Sequence, residues 1–100
     1  MAQYVFVILK YKFPLERILQ TIDKHRAYLV TLHAAGKLLA SGPFEPRTGG
    51  GLLVRVQDDA ELAAIIANDP FSLEGLADYT PMVWAPTIGR AGLDSLPSYQ

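Results

Sequence analysis

The chain has 100 residues, of which 50% are hydrophobic and 19% are charged, and its formal net charge is −1. This length and composition predict one folded domain and exclude a disordered chain. The sequence contains no cysteine, which excludes disulfides and thiol chemistry. The basic residues are scattered, and no hydrophobic run approaches the roughly 20 residues that cross a bilayer. We therefore expect a cytoplasmic, soluble protein with no nucleic-acid partner and no membrane partner.

The first predicted elements are a strand and a long helix. The strand covers Tyr4–Leu9 and is hydrophobic on both faces, so both faces are expected to be covered. After Pro14 the hydrophobic spacing becomes helical over Leu15–Ala35, and Gly36 is the expected left-handed stop. The inward stripe of this helix consists of Ile18, Ile22, His25, Leu29 and Leu32.

Two further strands and a connecting loop are predicted next. The first of these strands runs over Leu38–Ser41 and ends at Gly42-Pro43, the loop covers Glu45–Gly50, and the returning strand covers Gly51–Val56. The run Gly49-Gly50-Gly51 lacks the following Lys and Ser/Thr of a phosphate loop. We therefore interpret these glycines as a flexible turn.

The remaining predicted elements are a second helix, a short turn, a fourth strand and a tail. Pro70 ends the helix, and Pro81 indicates either that the fourth strand lies at an edge of the sheet or that it has a bulge near this residue. We divide the chain into a single domain over residues 1–85 and a C-terminal tail over residues 86–100, which wraps over the surface or a partner. The predicted bounds are Asp58 or Asp59 to about Asn68 for the helix, Phe71–Leu76 for the turn, which is either a plain turn or a single helical turn, and Ala77–Ala85 for the strand.

The order β-α-β-β-α-β is that of the ferredoxin-like fold, an α+β architecture with a four-stranded antiparallel sheet. Two helices cover only one face of such a sheet, whereas the first strand is hydrophobic on both faces. We therefore predict a homodimer in which two copies pair through their sheets. The alternative is that the tail folds across the open face of its own subunit.

His25 and Asp69 are the first candidates for chemistry. His25 occupies a position of the hydrophobic stripe where Leu or Ile is expected, and a partly desolvated imidazole can be tuned by a neighbour. The alternative is a core histidine that bonds to a backbone carbonyl. Asp69 lies at the end of the second helix, from which it can hydrogen-bond to His25 and fix its tautomer. The alternative for Asp69 is ordinary turn chemistry before Pro70.

The segment Ser41-Gly42-Pro43 is the third candidate, because a hydroxyl and a backbone N–H at a strand end can hold a substrate oxygen. A simple strand terminator is the alternative. His25 and His33 are too far apart to form a two-His metal site on one helical turn, and we predict no metal and no cofactor. The aromatic side chains either line a pocket or belong to the core or an interface. They are Tyr4, Tyr11, Tyr28, Phe44, Phe71, Tyr79 and Trp84.

Three segments, in this order, resemble the YciI-like (YCII-related domain) proteins over residues 3–85. They are Lys24–Leu29 with its continuation Leu32–Leu39, then Ala40–Phe44, then Ala67–Phe71 followed by Gly75-Leu76. The resemblance implies a ferredoxin-like fold that dimerises through its sheets, similar to muconolactone isomerase. It also implies a His–Asp pair in a pocket, which falls here on His25 and Asp69, with Ser41 and Gly42 lining the same pocket.

These observations together predict a small-molecule lyase or isomerase. His25 is expected to act as general base or acid, with Asp69 orienting it and stabilising the imidazolium. Ser41, Gly42 and Phe71 are expected to bind the substrate. The aromatic side chains favour a cyclic or phenolic substrate, and one branch of the resembled family removes HCl from a chlorinated hydroxyhydroquinone. The alternatives are a non-catalytic dimeric module that binds a metabolite or a protein, and a His–Asp pair that only stabilises the core.

Overall fold

A computed structural model of the chain describes residues 2–96, which form four strands and five helices. In chain order the elements are β1 (Gln3–Tyr11), α1 (Leu15–Leu19), α2 (Ile22–Ala34), β2 (Leu38–Pro43), β3 (Gly49–Val56), α3 (Asp59–Ala67), α4 (Pro70–Leu73), β4 (Ala77–Trp84) and α5 (Arg90–Asp94).

The strands form one antiparallel sheet in the order β2-β3-β1-β4. This order, with helices between β1 and β2 and between β3 and β4, confirms the predicted ferredoxin-like α+β fold. β4 lies at an edge of the sheet, as Pro81 indicated. An edge strand tolerates proline because a missing N–H there removes no bond to a second neighbour.

The hydrophobic core lies between one face of the sheet and the helices α1–α4. On β1 the side chains of Val5, Val7 and Leu9 face this core and are almost fully buried. Full burial of one such side chain stabilises the fold by roughly 1.5–3 kcal/mol, so this face supplies much of the driving force for folding. The helices contribute Ile18, Leu29, Leu32, Leu62, Ile65 and Phe71 to the same cluster.

The predicted continuous helix over Leu15–Ala35 is wrong, because the chain breaks it at Gln20 and Thr21 into α1 and α2. The buried Thr21 hydroxyl donates to a Glu74 carboxylate oxygen at 2.9 Å. Arg17 donates to the same Thr21 oxygen at 3.1 Å and to Glu74 at 3.0 Å. This network stabilises the bend at Gln20 and Thr21, where the sequence has no proline or glycine to indicate a break.

The end of α2 is the one that the sequence predicts. Gly36 takes a left-handed conformation with φ 76°, which only glycine adopts without strain. The Lys37 N–H donates to the Leu32 carbonyl at 2.9 Å and the Gly36 N–H donates to the His33 carbonyl at 3.0 Å. These are the two bonds of a Schellman motif, which satisfies the last carbonyls of the helix.

The predicted flexible turn at Gly49-Gly50-Gly51 is also wrong, since β3 already begins at Gly49. A Cβ atom at Gly49 would overlap the carbonyl oxygen of Leu9 on β1. A Cβ atom at Gly51 would lie 2.5 Å from the ring of Phe6. At Gly49 glycine is therefore required by the close approach of the neighbouring backbone and not by a turn, whereas at Gly51 a Cβ atom would force the ring of Phe6 to shift.

The other face of the sheet is covered at one end by α5. Tyr4 on this face is 1% exposed, because its hydroxyl donates to the Asp94 carboxylate at 2.5 Å and Arg90 lies 5.4 Å from its ring centroid. Arg55 on β3 donates to the Leu93 carbonyl at 3.3 Å. The part of the predicted tail over residues 97–100 lies outside the described residues.

The rest of this face, which we call the open face, is hydrophobic and uncovered. Phe6 is 36% exposed, Met82 is 53% exposed and Trp84 is 49% exposed. Together with Ala40 and Leu53 they line a groove of about 710 Å³. Contiguous hydrophobic surface of this kind is typical of an interaction site. Within residues 2–96 no helix has the length and hydrophobicity needed to cross a membrane.

Candidate active site

His25 and Asp69 lie side by side in the helical layer, and both are buried, at 8% and 1% exposure. The Nδ1 atom of His25 lies 2.7 Å from Oδ1 of Asp69. Because a carboxylate only accepts hydrogen bonds, Nδ1 carries the proton of the neutral ring and Nε2 is left as an acceptor. Nε2 has no hydrogen-bond partner among the described residues and is not sealed from solvent. The imidazole is therefore held in one tautomer, with one nitrogen available to a ligand.

Asp69 is held in place by the chain reversal between α3 and α4. It has extended dihedral angles (φ −67°, ψ 129°), which the following Pro70 favours, and its Oδ1 accepts the Phe71 N–H at 3.0 Å as the N-cap of α4. Its Oδ2 accepts the hydroxyl of Tyr79 at 2.7 Å. Turn chemistry and pairing with His25 were alternatives for this residue, and the carboxylate does both. Its three donors offset the cost of burying a charge.

Tyr79 is a site residue that the sequence analysis did not assign beyond the general set of aromatic side chains. It pairs with Leu9 in the sheet and so lies on the face that carries the core. Burial, followed by its hydrogen bond to Asp69, raises the pKa of Tyr79 far above its ordinary value. Ionisation would place a second negative charge beside the carboxylate, so the phenol remains a donor to Asp69 at neutral pH.

We expect Tyr79→Phe to lower the free energy of unfolding by about 1.5–3 kcal/mol at neutral pH, because a buried carboxylate oxygen loses its donor. The raised pKa means that the Tyr79 contribution is complete below its ordinary value of 10.0 and is lost as the pH rises further. The difference between wild type and variant should therefore shrink above pH ~10. Urea unfolding at neutral and alkaline pH measures this difference in the free energy of unfolding. Equal stability of wild type and Tyr79→Phe at neutral pH would contradict the role of Tyr79 as a donor to Asp69.

Phe71, predicted to bind substrate, makes its main contact with the imidazole. The two rings stack with centroids 3.9 Å apart and an interplanar angle of 5°. The ring of Tyr11 meets Phe71 edge-on, at 6.1 Å and 88°. The stack fixes the plane of the His25 ring, while Asp69 fixes its rotation within that plane.

A cavity of about 170 Å³ opens beside His25, between α2 and the paired strands β2 and β3. Ser41, Gly42 and Phe71 line it with His25, whereas Asp69 lies behind the imidazole and is not part of the wall. An engineered cavity of about 150 Å³ holds benzene, so this volume suits a single six-membered ring. The full lining is Leu9, Tyr11, Ile22, His25, Arg26, Leu29, Ser41, Gly42, Pro43, Arg47, Gly50, Gly51, Leu52 and Phe71.

The wall formed by β2 and β3 is shared with the open face. Ser41, Gly42, Pro43 and Gly51 line the cavity on one side and the groove on the other. His33 lies outside this cavity, and its Nδ1 is 2.9 Å from the Leu38 carbonyl oxygen. Among residues 2–96 no cluster of three or more His, Asp or Glu side chains is arranged to hold a metal ion.

The fold and this site define a small α+β domain with a buried His–Asp pair beside a ring-sized cavity. The sequence profile of the YCII-related domain matches residues 4–85. The chain therefore belongs to the YCII-related domain family, which confirms the resemblance of the three sequence segments. A search of curated proteins finds no significant match.

Among solved structures the chain is similar to 5-chloro-2-hydroxyhydroquinone dehydrochlorinase (TftG) from Burkholderia phenoliruptrix AC1100, in complex with 2,5-dihydroxybenzoquinone. The two sequences are 26% identical, and the match covers 83% of this chain and 93% of the dehydrochlorinase chain with a TM-score of 0.65. The match extends over most of both chains.

Proposed function

We propose that this protein is a small-molecule lyase or isomerase in which His25 moves a proton and Asp69 positions it. The observation that carries the proposal is the 2.7 Å contact between Nδ1 of His25 and Oδ1 of Asp69, with the imidazole lining a ring-sized cavity. Similarity to a dehydrochlorinase, whose ligand is a dihydroxybenzoquinone, supports elimination chemistry on a single-ring substrate.

The proposed reaction begins when Nε2 of His25 takes a proton from a C–H or O–H group of the substrate. The electron pair left behind moves through the ring. In a lyase it expels a leaving group such as chloride, so that proton and chloride are lost together as HCl. In an isomerase the proton returns to a different atom. Asp69 stabilises the imidazolium formed in either case, and we assign Ser41 and Gly42 to hold a substrate oxygen.

The proposal is tested by incubating the 100-residue chain with single-ring hydroxylated compounds in D₂O, beginning with 5-chloro-2-hydroxyhydroquinone. Chloride release reports elimination, and loss of ¹H NMR signals reports proton abstraction whatever the later fate of the substrate. We expect rates above those of the protein-free solution. Binding of these compounds with neither exchange nor chloride release would contradict the enzyme and favour the non-catalytic metabolite-binding module.

We also propose that the chain forms a homodimer through the open face. Phe6, Met82 and Trp84 leave this face hydrophobic where α5 does not reach, and a second copy would cover it. Full burial of an exposed side chain of this kind gives roughly 1.5–3 kcal/mol, and each of these partly buried side chains would gain a part of it, which favours pairing of two identical faces.

We expect Met82→Glu to weaken the dimer by about a hundredfold or more, because it replaces a buried hydrophobic contact with an unpaired carboxylate. The matched control is Leu73→Glu, which makes the same kind of change at a residue that is 70% exposed on α4. Sedimentation velocity over a range of concentrations gives the dissociation constants. A wild-type chain that stays monomeric, or a Met82→Glu chain that dimerises like wild type, would contradict this interface.

A further inference from the structure

We propose that the cavity beside His25 selects a ring that carries an anionic oxygen substituent, a carboxylate or a phenolate, and that Arg47 binds this substituent with the help of Arg26. The inference deepens the proposed function, on which it rests for the reaction that follows binding. It concerns two residues that the sequence analysis did not single out for the site.

Arg47 lies in the connection between β2 and β3 and lines the cavity. Its side chain is folded against the protein, since its Nε atom is buried and has no hydrogen-bond partner within residues 2–96. An exposed arginine with no protein partner needs no explanation, because water satisfies its donors. A guanidinium that is held against the fold with a donor unmet is positioned for an acceptor that the protein does not supply.

The charges of the side chains that line the cavity also favour an anionic ligand. Arg26 and Arg47 both line it, and its lining includes no acidic side chain. Within the described part of the chain the partly buried Arg47 makes no ion pair, whereas Arg17 pairs with Glu74 and Arg90 pairs with Asp94. The carboxylate of Asp69 is not the partner of Arg47, because its oxygens accept from His25, Phe71 and Tyr79.

An anionic oxygen substituent on a ring fits both the volume and the charge. The cavity of about 170 Å³ accommodates one six-membered ring. A guanidinium presents parallel donors that match the two oxygens of a carboxylate, and a phenolate accepts from the same donors. Arg47 enters from the β2–β3 connection and His25 enters from α2, so the two side chains belong to different walls. A ring bound by its anionic substituent to Arg47 would present its other atoms to the imidazole.

The test compares benzoate with benzamide, which has nearly the same shape but no charge, by isothermal titration calorimetry at neutral pH. We expect wild type to bind benzoate at least about tenfold more tightly than benzamide, the effect of one charge-assisted hydrogen bond. Arg47→Gln should remove this preference, mainly by lowering the affinity for benzoate, and a melting temperature close to that of wild type would show that the variant is folded. Lys10→Gln removes one positive charge from the exposed surface of β1 and should preserve the preference.

Each outcome decides the inference. Equal affinities of wild type for the two compounds, no benzoate binding at millimolar concentration, or a preference that survives in Arg47→Gln would overturn it. The proposed function fails separately. If benzoate binding depends on Arg47 but no compound is turned over, the anion site is supported and the proposed enzyme activity is contradicted. If turnover depends on His25 while benzoate and benzamide bind alike, the proposed enzyme activity is supported and the anion site is contradicted.

Discussion

Replacing His25 with glutamine is expected to lower kcat/KM of the proposed reaction by about 10²–10⁴-fold, the usual contribution of general acid–base catalysis. Glutamine can still hydrogen-bond to Asp69, but it has no nitrogen that takes up a proton in the neutral range. The stack with Phe71 is lost in this variant, so its thermal unfolding is measured together with its activity. Steady-state kinetics on the compound identified by chloride release or proton exchange gives the ratio of kcat/KM values.

The matched control is His33→Gln, which makes the same substitution on the same helix outside the cavity. The side chain of His33 hydrogen-bonds only to the carbonyl oxygen of Leu38 among the described residues. The kcat/KM of the His33→Gln variant should therefore stay within about twofold of wild type, the size expected of a remote surface change. A folded His25→Gln variant with wild-type kcat/KM would remove His25 from the mechanism. Loss of folding with no ligand bound by wild type would support a structural pair instead.

Gly49→Ala is expected to destabilise the protein by about 3 kcal/mol or more, at the upper end of the usual cost of overpacking. The new methyl group would meet the backbone carbonyl of Leu9, which is fixed in the centre of the sheet and cannot rotate away as a side chain would. For a domain of this size the melting temperature should fall by roughly 12 °C or more. Thermal unfolding followed by circular dichroism measures this change.

Gly42→Ala provides the comparison, because no atom lies within 4 Å of the position that its Cβ would take. Gly42 also lies in a strand, on β2, so both variants make the same change in the same type of element. We expect its melting temperature to remain close to that of wild type. Similar melting temperatures for the two alanine variants would show that β1 and β3 are not as close at Gly49 as described.

The features of the fold that could be predicted from the sequence are those determined by neighbours along the chain. The stop at Gly36 needs only the left-handed conformation, and Asp58 caps α3 by accepting the Glu61 N–H three residues later. The break before α2 could not be predicted in this way. It depends on Glu74, which lies far from Thr21 in sequence and meets it only after the chain has folded.

The candidate site divides along the same line. The sequence points to His25 because a polar residue interrupts a hydrophobic stripe, and to Asp69 because proline keeps it out of the helix, so both signals are local. The position of Tyr79 depends on the pairing of β4 with β1, and that of Arg47 depends on the β2–β3 connection that brings it to the cavity wall. Strand register was not available from the periodicity, and an arginine in a loop is ordinarily a solvated surface residue.

Only one layer of backbone separates the cavity from the groove, since Ser41, Gly42, Pro43 and Gly51 line both. Gly51 is bonded into the interior strand β3, whereas β2 has a hydrogen-bonded neighbour on one side only. A bulky substituent on the ring would therefore be accommodated by outward displacement of β2. A second subunit packed against the open face at β2 would restrict this displacement. The largest molecule that the cavity can bind would then depend on whether the chain is a monomer or a dimer.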